Sequence, residues 1–263
     1  MKYRNGKWLA PFSYIVLLFL YLPIIVLFVY SFNRSRINAV WTGWTLDWYI
    51  SLFDNRHVVE AFFNSVTIAL GAAIFSTIIG TLGAYSFYRY RYRWRAALGG
   101  IMYLPFVLPD ILMGLSLLLL FSYFSIPLGK LTVLIAHITF CIPFVFLLVS
   151  TRVQEMNSDL EEAAQDLGAT PWQTFRYITL PLLGPSIISS FLLTFSLSLD
   201  DFIISFFVAG PGATTLPIYI YGMVKRGITP EVNALAALLM GITLITLALA
   251  EYIRKIGERR GNT

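Results

Sequence analysis

Three aspartates interrupt stretches of this chain that otherwise hold no charge: Asp110, and the adjacent pair Asp200 and Asp201. An ionised carboxylate in an apolar setting is costly unless a cation meets it, so such residues mark a pathway or a binding site by default. No basic residue in the same stretches is expected to pair with them. Three acids without counter-ions suit a cationic cargo. Thr194, Ser198, Asp201 and Ser205 recur at helical spacing and form one polar stripe. Ser196 and Asp200 form a second stripe one position over, rotated by about 100°. Tyr103, Phe106, Phe202, Phe206 and Phe207 stand close by in sequence. Aromatic faces beside carboxylates suit an organic cation with methylene spacers, held by ion pairing and cation–π attraction. Two plainer readings compete. Asp200 and Asp201 can cap a helix end at an interface, and Asp110 can satisfy backbone groups freed by Pro105 and Pro109.

Other chemistries find little support. Cys141 is the single cysteine and lies in an apolar stretch, which excludes an intrachain disulfide and a cysteine-cluster metal site. His57 and His137 have no partners at metal-ligand spacing, and no nucleophile–base grouping stands out. The chain lacks the Gly-x-x-x-x-Gly-Lys-Ser/Thr phosphate loop, so it has no nucleotide site of that kind. The net charge of +5 does not point to nucleic acid, because the basic residues flank apolar stretches in the membrane pattern.

These acids must be positioned by membrane helices. The chain is 57% hydrophobic and 13% charged, against about 25% charged residues in a typical soluble domain. A bilayer-crossing helix needs roughly 20 mostly apolar residues, and six segments qualify. The first lies within 8–33 and the second within 61–88. The third covers about 96–124, broken in pattern only by Asp110, and the fourth covers 131–150. The fifth runs from about Leu182 into the Asp200–Asp201 pair, and the sixth covers about 232–250. The third span, with Pro105, Pro109 and Asp110 within six residues, is expected to bend or break there. The first span follows Lys2, Arg4 and Lys7, but it is too long for a signal-peptide core and lacks a cleavage site, so it reads as a retained helix. Six spans place both termini on one side. That side carries the three N-terminal basic residues, Arg89, Arg91, Arg93 and Arg95, then Arg152 and Arg176, and four more in the tail. The opposite side carries Arg34, Arg36, Arg56, Lys130, Lys225 and Arg226. The positive-inside rule then puts both termini in the cytoplasm. The expected organisation is a first helix and outer loop over 1–60, a transmembrane domain over 61–250, and a cytoplasmic tail over 251–263.

The cytoplasmic loop between the fourth and fifth spans, about 152–181, contains NSDLEEAAQDLGATPWQTFRYITLPLL. Ser158 and Glu161 form a capping box that starts a short helix. Leu160, Ala163, Ala164 and Leu167 fall on one small apolar face. Gly168 ends this helix. Thr170 caps a second helix, with Pro171 at its first position and Gln173 closing another capping box; Trp172, Phe175 and Arg176 belong to it. An amphipathic hairpin lying on lipid would show the same pattern. The acidic first helix, with Glu155, Asp159, Glu161, Glu162 and Asp166, suits a protein partner better than a negative leaflet.

The segment from Glu162 to Pro181 resembles the EAA loop of ABC importer permeases. Glu162, Ala163, Ala164, Gly168, Ile178, Leu180 and Pro181 stand at that motif's spacing without a departure. The resemblance covers roughly residues 60–250 and implies an all-α integral membrane fold of the type I importer permeases, six transmembrane helices with a cytoplasmic helix–Gly–helix elbow. It also implies that the elbow docks in a cleft of an ATPase subunit: Ala163 and Ala164 allow close approach, Gly168 gives the bend, and Glu162 meets polar or basic groups. ATP and Mg would be held by two ATPase subunits, with no cofactor in this chain, which would need a second permease half. The stretches GWTLDWYISLF, LPFVLPDILMGLSLLLLF and SLSLDDFIISFFVAGPGATTLPIYIYGMVKRGITPEVNALA resemble the spermidine/putrescine permeases, in particular the second of their paired subunits. That likeness implies a polyamine cargo, a sister permease, a polyamine-binding protein, and a substrate pathway built from Trp48, Asp110, Ser198, Asp200 and Asp201. A permease of the same class for another organic cation or ferric ion is the alternative, with a stand-alone channel further off.

Overall fold

A computed structural model describes residues 9–35, 40–90, 93–157, 159–227 and 229–261. Every regular element among them is helical apart from one isolated bridge between Asn33 and Trp44. Helices α1 (Leu9–Tyr30), α3 (Arg56–Arg89) and α6 (Lys130–Glu155) and the helix Pro230–Gly261, together with a continuous helical run over Pro171–Asp200, are each long and apolar enough to cross a membrane. The remaining span is a bent pair, α4 (Arg95–Val107) and α5 (Asp110–Tyr123), whose axes differ by 113°. Five unbroken helices and this pair supply the six apolar spans read from the sequence.

The break in the third span has a local cause. A residue preceding proline is pushed out of the helical region, and Leu108 before Pro109 takes φ −77°, ψ 132°. Pro109 itself is extended at ψ 140°, so two consecutive residues leave the helix before α5 restarts at Asp110.

The chain divides into two compact units. The first comprises 1–59 and 219–241. In it the buried side chain of Asn33 organises the loop after α1: its Nδ2 donates to the Val40 carbonyl at 2.8 Å and its Oδ1 accepts from Thr42 N at 3.1 Å. The indole N–H of Trp48, in α2 (Asp47–Asp54), donates to the Asn33 carbonyl at 2.7 Å. Phe32, Trp44 and Tyr49 pack their rings together beside it.

The second unit comprises 60–218 and 242–263. Its core joins α6 to α9 (Leu180–Asp200) and α5 to the short α10 (Ile203–Val208). Ile68, Phe121, Val133, Ala136, Phe140, Ile204 and Val208 form the main apolar cluster. Between lipid-facing helices apolar burial drives little, so close packing of small residues matters more. Gly114 shows this: a Cβ there would lie 2.8 Å from Cδ2 of Phe207 and 3.3 Å from Cα of Ile204, so α5 sits directly on α10. The loop after α10 is tied down by Asn64, whose Nδ2 donates to the carbonyls of Gly212 and Thr214 at 3.1 and 2.9 Å.

Candidate functional site

Two regions carry the residues singled out from sequence. The first lies where two helices break. The α4–α5 break delivers Asp110 in the first turn of α5, and α9 ends at Asp200 before α10 begins. Asp110 and Asp200 are exposed and border the same cavity of about 490 Å³. Phe140, Phe144 and Phe202 contribute aromatic wall, and Pro105 of α4 also lines the cavity. Phe106 packs against Phe144 at 4.7 Å between ring centroids. The cavity therefore offers two carboxylates and several ring faces, a combination that attracts cations.

Asp201 also touches this cavity, but its carboxylate is only 10% exposed and is occupied. Oδ2 accepts from Ser205 N at 2.8 Å, and Oδ1 accepts from Ile204 N at 3.3 Å, which ties the carboxylate to the first turn of α10. His137 Nε2, fully buried on α6, lies 3.2 Å from Oδ2. The expectation that none of the three acids meets a basic side chain is therefore corrected for Asp201: the imidazole inside the fourth span reaches it. Ser198 is buried too, with its Oγ 2.6 Å from His137 Nδ1, while Ser205 Oγ lies 2.9 Å from Nε2. Thr194 and Ser205 are fully buried, and Thr194 donates to backbone carbonyls of its own helix. The polar stripe thus turns into the protein, toward α6. Trp48 lies in the first unit, half-buried, with its N–H committed to Asn33.

The second region is the elbow. Ser158, expected to cap its first helix, lies outside the described residues. The helix α7 (Asp159–Asp166) ends in a Schellman motif: Gly168 N donates to the Gln165 carbonyl and Ala169 N to that of Ala164. Gly168 takes φ +89°, a conformation that favours glycine. At the next helix, Thr170 Oγ1 accepts from Gln173 N at 3.3 Å, and Gln173 Oε1 accepts from Thr170 N at 2.8 Å, forming the expected capping box around α8 (Pro171–Thr174). Glu162, Ala163, Leu160, Leu167 and Trp172 are exposed, Leu167 at 90%, and Ala164 is half-buried. Ile178 and Leu180 are half-buried and Pro181 is exposed. The second elbow helix is not separate from the fifth span. It continues into α9 through a π-helical turn, Phe175–Thr179, in which Leu180 N donates five residues back to Phe175 O. The widened turn comes just before Pro181, whose ring has no N–H and would crowd the carbonyl four residues earlier.

One acid of the elbow points inward. Glu161 is 6% exposed. Thr179 Oγ1 donates to its Oε1 at 2.5 Å, and Arg89 Nε, at the end of α3, lies 3.4 Å from its Oε2. The first elbow helix is thereby fastened both to the π turn and to the second span.

Residues 76–259 match the family described as "Binding-protein-dependent transport system inner membrane component". The chain belongs to this family. It is 42% identical over 244 residues to the spermidine/putrescine transport system permease protein PotC of Haemophilus influenzae, covering 93% of this chain and 95% of that one. Identity is also 42%, over 262 residues, to the putrescine transport system permease protein PotI of Escherichia coli, covering 95% and 93%. Among solved structures, a bacterial ABC transporter involved in the import of the acidic polysaccharide alginate aligns with a TM-score of 0.69 at 20% identity, covering 96% of this chain and 94% of that one. That likeness speaks to the fold alone.

As an inner-membrane permease component of an ABC importer, the chain is a multi-pass membrane protein and not an enzyme. Within this permease, the contacts of His137 and Glu161 are not readable from the sequence. His137 stands as a polar residue inside an apolar span, a signal that marks a pathway or a partner without naming it. Glu161 stands only as the capping-box partner of Ser158, and that local pattern gives no sign of Thr179 or Arg89, which its carboxylate meets.

Proposed function

We propose that this permease forms half of the translocation pathway of an ATP-driven polyamine importer, with spermidine or putrescine as cargo. One observation carries the reading: Asp110 and Asp200, from two broken helices, face a single cavity walled by aromatic rings. A flexible polycation would find carboxylates for its ammonium groups and ring faces for its methylene spacers. The two polyamine permease relatives at 42% identity over nearly the whole chain support the same cargo.

In this reading both termini and the elbow are cytoplasmic, in line with the distribution of Lys and Arg. A sister permease supplies the other half of the pathway. Two ATPase subunits hold ATP and Mg and receive the exposed elbow face around Ala163, Leu167 and Glu162, and a polyamine-binding protein delivers cargo from outside. ATP binding closes the ATPase pair and moves the elbow, the spans open outward, and cargo passes inward after hydrolysis.

The test is labelled spermidine uptake in cells lacking the gene, with and without its restoration, in the presence of excess putrescine or an unrelated cation. Restored uptake that putrescine blocks and the other cation does not is the expected result. Absence of restored uptake, with the protein present in the membrane and its partners expressed, overturns the polyamine reading.

A further inference from the structure

The adjacent acids Asp200 and Asp201 are chemically identical and differ in everything around them. Asp200 is exposed at the end of α9 and borders the cavity. The Asp201 carboxylate is surrounded. Two backbone N–H groups of α10 donate to it, at 2.8 and 3.3 Å, and an imidazole with no exposure at all lies 3.2 Å away. The imidazole is itself fixed from its other side by Ser198 of α9, and Ser205 of α10 reaches its Nε2. The set is satisfied when Nε2–H is donated toward the carboxylate and the Ser198 hydroxyl is donated to Nδ1. His137 thus touches the helix before the break, the residue at the break and the helix after it. Fixing all three fixes the direction in which α9 stops, and Asp200 is the last residue of α9.

We infer that His137 and Asp201 are a positioning pair: they lock the α9–α10 break so that Asp200 projects into the cavity, while the Asp201 carboxylate makes no contact with cargo. The inference rests on the cation pathway proposed above and divides it, leaving Asp110 and Asp200 as the two cargo-facing charges. A group that ligates cargo through charge is not replaced by its amide. At 201 an amide keeps one oxygen, which can go on accepting from Ser205 N at 2.8 Å beside His137 Nε2, and gives up only the longer 3.3 Å acceptor for Ile204 N. Likewise Gln at 137 can place an amide N–H near the position of Nε2, whereas Phe fills the space and donates nothing.

The experiment reconstitutes the complete importer with its partner subunits and loaded binding protein in liposomes and compares Asp200→Asn, Asp201→Asn, His137→Gln and His137→Phe for labelled spermidine taken up per ATP hydrolysed. Asp200→Asn, which loses a charged contact, and His137→Phe, which loses the lock that places it, are expected to lower that ratio about tenfold or more, and Asp201→Asn and His137→Gln to stay within about threefold of wild type. Asp201→Asn falling as far as Asp200→Asn overturns the inference, and so does a wild-type ratio for His137→Phe. Should His137→Phe fail to assemble, the comparison of the two Asp→Asn variants decides. A wild-type complex that imports no spermidine speaks against the polyamine reading instead. The positioning pair is then judged without cargo: the thiol of Asp200→Cys should react with a water-soluble cationic thiol reagent, and adding His137→Phe or Asp201→Ala should change that rate several-fold, because reaction follows access to the thiol. A rate at 200 indifferent to both changes rejects it.

Discussion

Glu161 and Glu162 are neighbours in the elbow with the same chemistry, and replacing each by alanine should give different phenotypes. Glu161→Ala removes a carboxylate oxygen that accepts from Thr179 at 2.5 Å and another that faces Arg89 at 3.4 Å. A hydrogen bond to a charged group contributes about 1.5–3 kcal/mol. The ion pair adds less than the fully buried case, because the Arg89 side chain is 32% exposed and water takes over its charge, leaving about 1 kcal/mol. The expected loss is therefore about 2.5–4 kcal/mol in the docking of the elbow onto its own chain. Glu161→Gln, which keeps an acceptor for Thr179, should lose about half of that. The assay has two parts: heat-induced unfolding of the purified permease, and cargo transported per ATP hydrolysed by the assembled importer. Glu161→Ala should lower both. The Arg89→Glu/Glu161→Arg exchange should recover part of the loss, since opposite charges again face each other. Glu162→Ala, at an exposed position, should leave unfolding unchanged and lower only the coupling ratio. If Glu161→Ala unfolds like wild type and transports normally, the clasp between α3, the elbow and the π turn has no mechanical role.

Further predictions concern backbone geometry. Gly168→Asp places a side chain at φ +89°, and should reduce uptake and partner ATPase activity while membrane insertion stays intact; wild-type transport in that variant would refute the docking role of the elbow. Gly114→Val drives a side chain into Phe207 and the Ile204 backbone, and overpacking of this kind costs about 1–3 kcal/mol; an unchanged unfolding temperature would show that α5 does not rest on α10. Trp48→Phe deletes the 2.7 Å bond to Asn33, worth about 0.5–1.5 kcal/mol, and should speed proteolysis of the loop after α1; an unaltered cleavage rate would contradict the role of Trp48 as its tie.

Much of the fold is legible because its signals are local. The spans follow from runs of apolar residues, and the break at Leu108–Pro109–Asp110 follows from what proline does to the residue before it. Thr170, Pro171 and Gln173 spell a capping box within four positions, and Gly168 spells a helix end. The carboxylates at 110 and 200 announce themselves by standing alone in apolar sequence, and the structure brings them to one cavity. What could not be read locally depends on distant partners. His137 is on α6 and Asp201 lies in the break between α9 and α10, while Arg89 and Glu161 are on different helices, and nothing near either residue of a pair names the other. The polar stripe of Thr194, Ser198 and Ser205 shows the same limit: helical spacing reveals that these residues share a face, while only the packing of α6 against α9 shows that the face turns inward. The π turn at Phe175–Thr179 is likewise a compromise between Pro181 and a helix that must continue unbroken from the elbow into the fifth span.

The central claim is that Asp110 and Asp200 supply counter-charge to a cationic cargo crossing the membrane. The most direct measurement is labelled spermidine uptake by the reconstituted importer carrying Asp110→Asn and Asp200→Asn together, with binding-protein-stimulated ATP hydrolysis recorded in the same vesicles. The account predicts that uptake falls by about a hundredfold, as expected for two lost charge contacts at roughly tenfold each, while stimulated hydrolysis persists. Uptake that remains at the wild-type rate in the double variant would contradict it.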